Sequence, residues 1–400
     1  MKKLTALLLA TVLCFTLAAC GSDPVEDVTL RLWGGEEDQV MLRQMADAFI
    51  EANKDKVNLT ISLGTESEST AKDTILTDIE AAADVFAFAN DQIIELVTAG
   101  ALQEVSIRAD DIKSRNSAGS VEAATVGGKL MAYPMTGDNG YFMYYDASYF
   151  TPDDVQTFDR MLEVAAAAGK QITMDMGGAW YSYSFFKGAG LDVSLIEGTQ
   201  NNFCNWNAAG GTDVVQAMLA IAAHPAFISL GDGEFVTGIE NGTIIAGING
   251  PWNAGRAQDA WGANYAAAKL PTFTLAGAQK QMGSFAGFKL VGVNALSANA
   301  GWAMELADWI TNYENQVKRF NDRQQGPSNT AAAATDAVQA DPAQAAFAAQ
   351  QPFSVPQAIG GNYWSAAGTL FEIIVRGNPD GTDLQTLLDN AVAGITAPVG

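Results

Sequence analysis

Four short clusters in the 400-residue chain set an aromatic ring beside a carboxylate or an amide. Phe88 precedes Asn90 and Asp91; Trp180, Tyr181 and Tyr183 follow a strand that ends near Asp175; Trp252 lies between Asn249 and Asn253; Tyr363 and Trp364 follow Asn362. This pairing suits a sugar, because the ring covers the apolar face of a pyranose while Asp, Asn and Glu accept its hydroxyl protons. Each cluster stands at the end of a regular element. In open α/β sheets ligands sit beyond the carboxyl ends of the strands, so all four are expected to face one cleft. Glu36 and Glu37 after the first strand, Glu66 after the second, and Asp138 and Asn139 in a glycine-flanked connector extend the set. The candidate ligand-binding residues are therefore Glu36, Glu37, Glu66, Phe88, Asn90, Asp91, Asp138, Asn139, Trp180, Tyr181, Trp252, Asn253, Tyr363 and Trp364. Plainer roles stand beside these: core packing for the aromatics, a helix cap for Asp91, a turn for Asp138, and a strand, glycine turn and acidic helix start for Trp33 to Glu37.

The elements that must position these residues alternate. Val28, Leu30 and Leu32 read as a strand, and Leu42, Met45 and Phe49 then recur at helical spacing. Val57 to Leu63 gives a second strand and Ala83 to Ala89 a third, followed by a helix from Asp91 that Gly100 ends. This order predicts a largely parallel sheet. Leu130 to Pro134 and Phe142 to Tyr145 are strands around the connector Thr136 to Gly140, where the chain is expected to cross to a second lobe. Helices at Phe158 to Ala168 and Val214 to Ala223 and a strand at Thr243 to Ile248 build that lobe. A strand at Gly287 to Val293 and one helix from Gly301 to Phe320 return to the first. The Ala-rich stretch Asn329 to Gln351 reads as short helices on the second lobe's surface, started by Asp341-Pro342, with disorder as the alternative.

Lys2 and Lys3 precede an apolar run, Leu4 to Leu17, that ends in Leu17-Ala18-Ala19-Cys20. The run is short for a membrane span, and a small-residue cleavage site directly before a Cys resembles the bacterial lipobox. Residues 1–19 are thus a signal peptide, Cys20 the lipidated first residue and 20–27 a tether, placing the protein outside the cytoplasm on a lipid anchor in the cell membrane. The remainder, about 380 residues, exceeds what one core usually supports and implies two domains. Of three Cys, only Cys204 survives processing without a lipid, and the chain has one His, which leaves little material for a disulfide framework, a Cys protease or a metal site. Cys204 reads as a buried thiol. A formal net charge of −23 repels nucleic acid and anionic lipid. No Walker A loop, dinucleotide fingerprint, HExxH, GxSxG or CxxC occurs, so motif-dependent enzymes are disfavoured and neither cofactor nor metal is expected.

The run Asp84 to Asp91, then Asn249-Gly250-Pro251-Trp252, Leu270-Pro271-Thr272-Phe273 and Tyr363-Trp364, resembles in order and spacing the maltose/maltodextrin-binding proteins of extracellular solute-binding protein family 1, with similarity from Val28 to the C-terminus. The resemblance implies an α/β fold like that of periplasmic binding proteins, two lobes joined by hinge strands. The expected N-terminal lobe is 28–136 plus 287–328 and the C-terminal lobe 138–285 plus 329–400. It implies a monomer that captures an oligosaccharide, above all a malto-oligosaccharide, and delivers it to the permease of an ABC importer without catalysis. Asp91 matches the family's hydroxyl acceptor, Phe88 and Trp180 stand in for stacking residues, Asp138 matches a hinge acid, and Trp252 and Trp364 match second-lobe platforms. Gln92, Gly178 and Gly368 depart from it, replacing an Arg, an acid and an Arg. Other oligosaccharides, such as arabinogalactan fragments, remain open, as does a secreted glycoside hydrolase using Asp91 and Asp138; a peptide or metal-complex binder would need a different lining.

Overall fold

The computed structural model describes residues 26–196 and 198–399. The signal segment, Cys20 and most of the tether lie outside the described residues. Glu26 and Asp27, assigned above to the tether, are instead the first residues of a strand, with Glu26 in register with Val57 and Asp27 accepting a 2.6 Å bond from Asn58 Nδ2.

Two sheets form, each with its own core. In the first, Glu26–Gly34 lies between Val57–Thr65 and Val85–Ala89, both parallel to it, and Ser284–Val293 adds on antiparallel to Val85–Ala89. Alternating Val28, Leu30 and Leu32 are at most 1% exposed and pack on Met41, Leu42, Met45 and Phe49 of the helix Gln39–Asn53, as their spacing required. The second sheet runs Phe227–Ser229, Gln171–Met174, Ile244–Asn249, Phe142–Asp146, Tyr265–Ala268. Ile244–Asn249 is buried along its whole length, and helices Phe158–Ala168, Ala179–Gly188 and Gly211–Ala222 supply much of the core on one face. Cys204 sits in that core, its thiol pushed up to about 12 by burial. Among the described residues no helix is long and apolar enough to cross a membrane.

The crossing from first lobe to second differs from the loop expected at Thr136 to Gly140. Those residues belong to a strand, Tyr133–Gly140, paired antiparallel with Ser284–Val293 through a bulged register. Only Tyr141 separates it from the next strand, Phe142–Asp146. The helix read across Gly301 to Phe320 is two helices, Ala300–Ile310 and Tyr313–Arg323. Asn312 accepts the N–H of Asn315 and starts the second one, which the apolar spacing alone did not show. The Ala-rich stretch is helical in three pieces, and its placement on the second lobe needs correction. Thr330–Ala333 follows the helix Tyr313–Arg323, and Thr330 Oγ1 donates to Arg115 O in the first lobe. Only Pro342–Gln350 buries its apolar face, Ala343, Ala346 and Phe347, against Phe142 and Tyr144.

Asp138 is also corrected, since it does not face the cleft. It is 3% exposed and accepts bonds from the N–H of Gly326 and from Gln344 Nε2, the latter at 2.9 Å. Gln344 is on the helix that packs on the second lobe, so this carboxylate joins the crossing strand to both return segments. Burial pushes it up to about 6, against the bonds from Gln344 and Gly326, which pull it down. A folded-state value above the usual 3.8 means that the folded chain keeps a proton the unfolded chain loses. Stability therefore falls as pH rises from about 4 to about 6 and levels off above that. Asp138→Asn should remove as much as ~3 kcal/mol of this decline, read as a smaller difference between thermal melts at pH 4 and pH 7.

Candidate functional site

A cleft of about 580 Å³ runs between the two sheets at the carboxyl ends of their parallel strands. From the first lobe it is lined by Glu37, the Ser67–Ser69 turn, Asp91, Asn139 and Lys289; from the second by Asp175, Trp180, Tyr181, Asp232, Trp252 and Trp364; Gln357 lies between.

One wall is aromatic and its rings are held by their polar edges. Trp180 packs at 4.6 Å from Tyr141, 5.0 Å from Tyr181 and 5.7 Å from Trp252, and its indole N–H donates to Gln357 Oε1 at 2.8 Å. Trp252 Nε1 donates to Asp232 Oδ2 at 3.1 Å. The Tyr181 hydroxyl lies 3.3 Å from both Asp232 Oδ1 and Asn249 Oδ1. With both indole N–H groups engaged inside the protein, Trp180 and Trp252 line the cleft through their ring surfaces.

Acidic groups line the rest. Asp91 Oδ1 is buried without a hydrogen-bond partner, and burial pushes the carboxyl up to about 6, against the pull of the nearby Gln357 amide and Lys72. A buried acceptor left open costs free energy, and the carboxyl bears that cost beside the cleft. Asp175 is raised by burial and by the charges of Asp232, Glu372 and Glu234, while the 2.9 Å bond from Gly178 N opposes the rise. A side chain at Gly178 would run into the Asp175 carboxylate, which occupies the space beside that position. Gln92, in place of an Arg, is buried as a staple: its amide donates to Glu68 O and Ser69 O and accepts from Lys72 N, fixing the turn that edges the cleft. Below the Glu36–Asp38 turn lies a buried ion pair. Burial alone would raise the Asp38 carboxyl, and the Arg319 and Arg323 guanidiniums overrule it and hold it below the usual carboxylate range.

Of the candidates read from sequence, the structure brings Glu37, Asp91, Asn139, Trp180, Tyr181, Trp252 and Trp364 to the cleft. The others are corrected. Phe88 is fully buried against Phe86 in the first core, because the strand Val85–Ala89 is covered on both faces. Tyr363 is fully buried and donates to Ala179 O at 2.7 Å. Asn253 is buried and donates to Asn249 Oδ1 at 3.0 Å. Glu36 turns outward to accept from Thr65 Oγ1, and Glu66 accepts from Thr70 Oγ1. Asn90 accepts from Phe288 N at 2.8 Å and donates to Gln357 O at 3.3 Å, a stitch between the lobes that lines a smaller neighbouring cavity of about 290 Å³. Sequence reading missed Asp175 as a lining residue, and also Asp232, Lys289 and Gln357. Asp175 and Asp232 follow strands and were within reach of the rule that placed Asp91, whereas nothing local marks Lys289 or Gln357. Among the described residues no group of His, Cys, Asp and Glu is arranged to hold a metal ion.

A family model for bacterial extracellular solute-binding proteins matches residues 44–346. The galactooligosaccharide-binding protein of Bacillus subtilis (strain 168) is 24% identical over 401 residues, 95% of this chain and 94% of that one. A solved structure with acarbose is 29% identical and superposes with a TM-score of 0.83, covering 92% of this chain and 99% of the other. A maltodextrin-binding protein from L. casei BL23 without ligand is 25% identical with a TM-score of 0.77, covering 93% and 100%.

The division between core and cleft is measurable. Phe88→Ala should lower stability by ~3–5 kcal/mol in chemical denaturation, as loss of a fully buried ring does. Tyr363→Phe, which removes only the hydroxyl bonded to Ala179, should cost ~1 kcal/mol.

Proposed function

Because the chain belongs to the bacterial extracellular solute-binding protein family, we propose that it captures an oligosaccharide, foremost a malto-oligosaccharide, in the interlobe cleft and hands it to the permease of an ABC importer. The observation that carries this reading is the aromatic wall of Trp180, Trp252 and Trp364 in the same cleft of about 580 Å³ as the carboxylates of Glu37, Asp91 and Asp175. A pyranose has two apolar faces for the rings and a belt of hydroxyls for the acids, so one ligand satisfies both. Glu37, Asp91, Asn139 and Asp175 act as hydroxyl acceptors, Trp180, Trp252 and Trp364 as platforms, and the lobes close about the paired crossing strands. The ligand leaves unchanged, since delivery requires binding without cleavage. The relatives named above bind maltodextrin and galactooligosaccharide, which sets the two series to compare. Calorimetric titration with both, followed by analysis of the recovered sugar, tests this directly. Binding of either series without hydrolysis supports the reading; absence of binding across both, or cleavage, overturns it.

Trp364→Ala should weaken binding of the best sugar by ~1.5–3 kcal/mol, about ten- to a hundredfold, with little change in the melt of the ligand-free protein. A large drop in that melt with unaltered affinity would assign Trp364 to the core.

The N-terminal Leu17-Ala18-Ala19-Cys20 supports attachment through lipid on Cys20. One protein segment with its acyl chains is what holds such a domain at the membrane, so Cys20→Ser should move the mature protein from the membrane fraction to the medium. Retention of the variant on the membrane would refute the anchor.

A further inference from the structure

Lys289 is the point at which the first lobe touches the aromatic wall of the second. Its backbone is in the crossing strand, in register with Ala89 on one side and Thr136 on the other. Its side chain, 13% exposed, reaches into the cleft and sets the ammonium 5.2 Å from the centroid of the Trp252 ring. The same ammonium is ion-paired with Glu68, whose Oε1 is 3.6 Å away. Trp252 itself has little freedom to move. Its N–H is held by Asp232, Trp180 flanks it, and the six-membered ring backs onto Gly250, where a Cβ would overlap it. The Lys289 ammonium thus stands over the very ring assigned above to a sugar. A cation over an indole is attracted by the ring's negative face, and more strongly where water is partly excluded.

We propose that Lys289 is an internal stand-in for the ligand, bridging the lobes over Trp252 in the empty protein and competing with the sugar for that ring. The proposal rests on the oligosaccharide reading of the cleft and deepens it by naming the residue that sets its affinity. A pyranose stacking on Trp252 displaces the ammonium from the ring, and the ion pair with Glu68 is what remains to hold it. The two occupants exclude each other, so apparent affinity is reduced by the fraction of empty molecules in which Lys289 holds the ring.

Lys289→Met keeps the apolar stem and removes the charge, and Lys289→Arg keeps a cation over the ring. Each is examined ligand-free by small-angle scattering and thermal melting, then titrated with maltotriose. Lys289→Met is expected to have a larger ligand-free radius of gyration and to bind maltotriose about three- to tenfold more tightly, as release of a partly desolvated cation–π contact allows. Lys289→Arg should stay near the wild type in both measurements and in its melt, whereas Lys289→Met, which leaves Glu68 without its ion-pair partner, should melt lower. An unchanged ligand-free radius in Lys289→Met overturns the proposal, and so does weaker maltotriose binding, which would make Lys289 a ligand contact. If the wild type does not bind maltotriose, that sugar is excluded, and the ligand-free scattering of Lys289→Met alone decides the role of Lys289.

Discussion

The pairing of two crossing strands, Tyr133–Gly140 and Ser284–Val293, governs the rest of the molecule. Ser284–Val293 pairs with Val85–Ala89 on one side and Tyr133–Gly140 on the other, and both crossing strands lead to elements of the second lobe, so a ribbon of two strands is one of the links between the lobes. A ribbon of two strands held side by side restricts how the lobes can move relative to one another, and hinges of this kind absorb the change at a few strand-end residues. The residues beside it reinforce that restriction. Asn90 bonds both Phe288 N on the ribbon and Gln357 O, and Asp138 ties it to Gly326 and Gln344. Lys289, Asn139 and Asp91 reach the cleft because they lie on or beside the ribbon at its bend.

The cleft separates two tasks by chemistry. The indole N–H groups of Trp180 and Trp252 are satisfied by Gln357 and Asp232, so on the proposed reading the two rings are oriented before a ligand arrives and little rotamer entropy is left to lose on binding. The acids are held differently. Asp91 is left with an open acceptor, and Asp175 shares its surroundings with Asp232, Glu372 and Glu234. On the proposed reading, hydroxyl donors relieve both conditions, and such an acidic lining suits a polyol better than an anion. Stability given up at Asp91 and Asp138 is of the kind expected where a protein keeps polar groups for function or for a fixed hinge.

What the sequence alone determined follows from local rules. Alternation in Val28 to Leu32, helical spacing from Leu42 to Phe49, the cap at Asp341-Pro342 and the α/β order that put ligands beyond strand ends each depend on neighbours within a few positions. That is why two lobes and the cleft residues Asp91, Trp180, Trp252 and Trp364 were legible. Tertiary structure decided which candidates point inward. Phe88 and Asp91 are three residues apart and share one motif, yet Phe88 is enclosed because both faces of its strand are covered, while Asp91 is beyond the strand's end. Tyr363 and Trp364 are adjacent on a helix, where consecutive side chains differ in direction by about 100°, so one is core and the other lines the cleft. Asp138 became a staple only because Gly326 and Gln344, far along the chain, fold against it, and Lys289 gained its place over Trp252 in the same way. Partners distant in sequence leave no periodic trace in it, so these roles exist only once the two lobes are assembled.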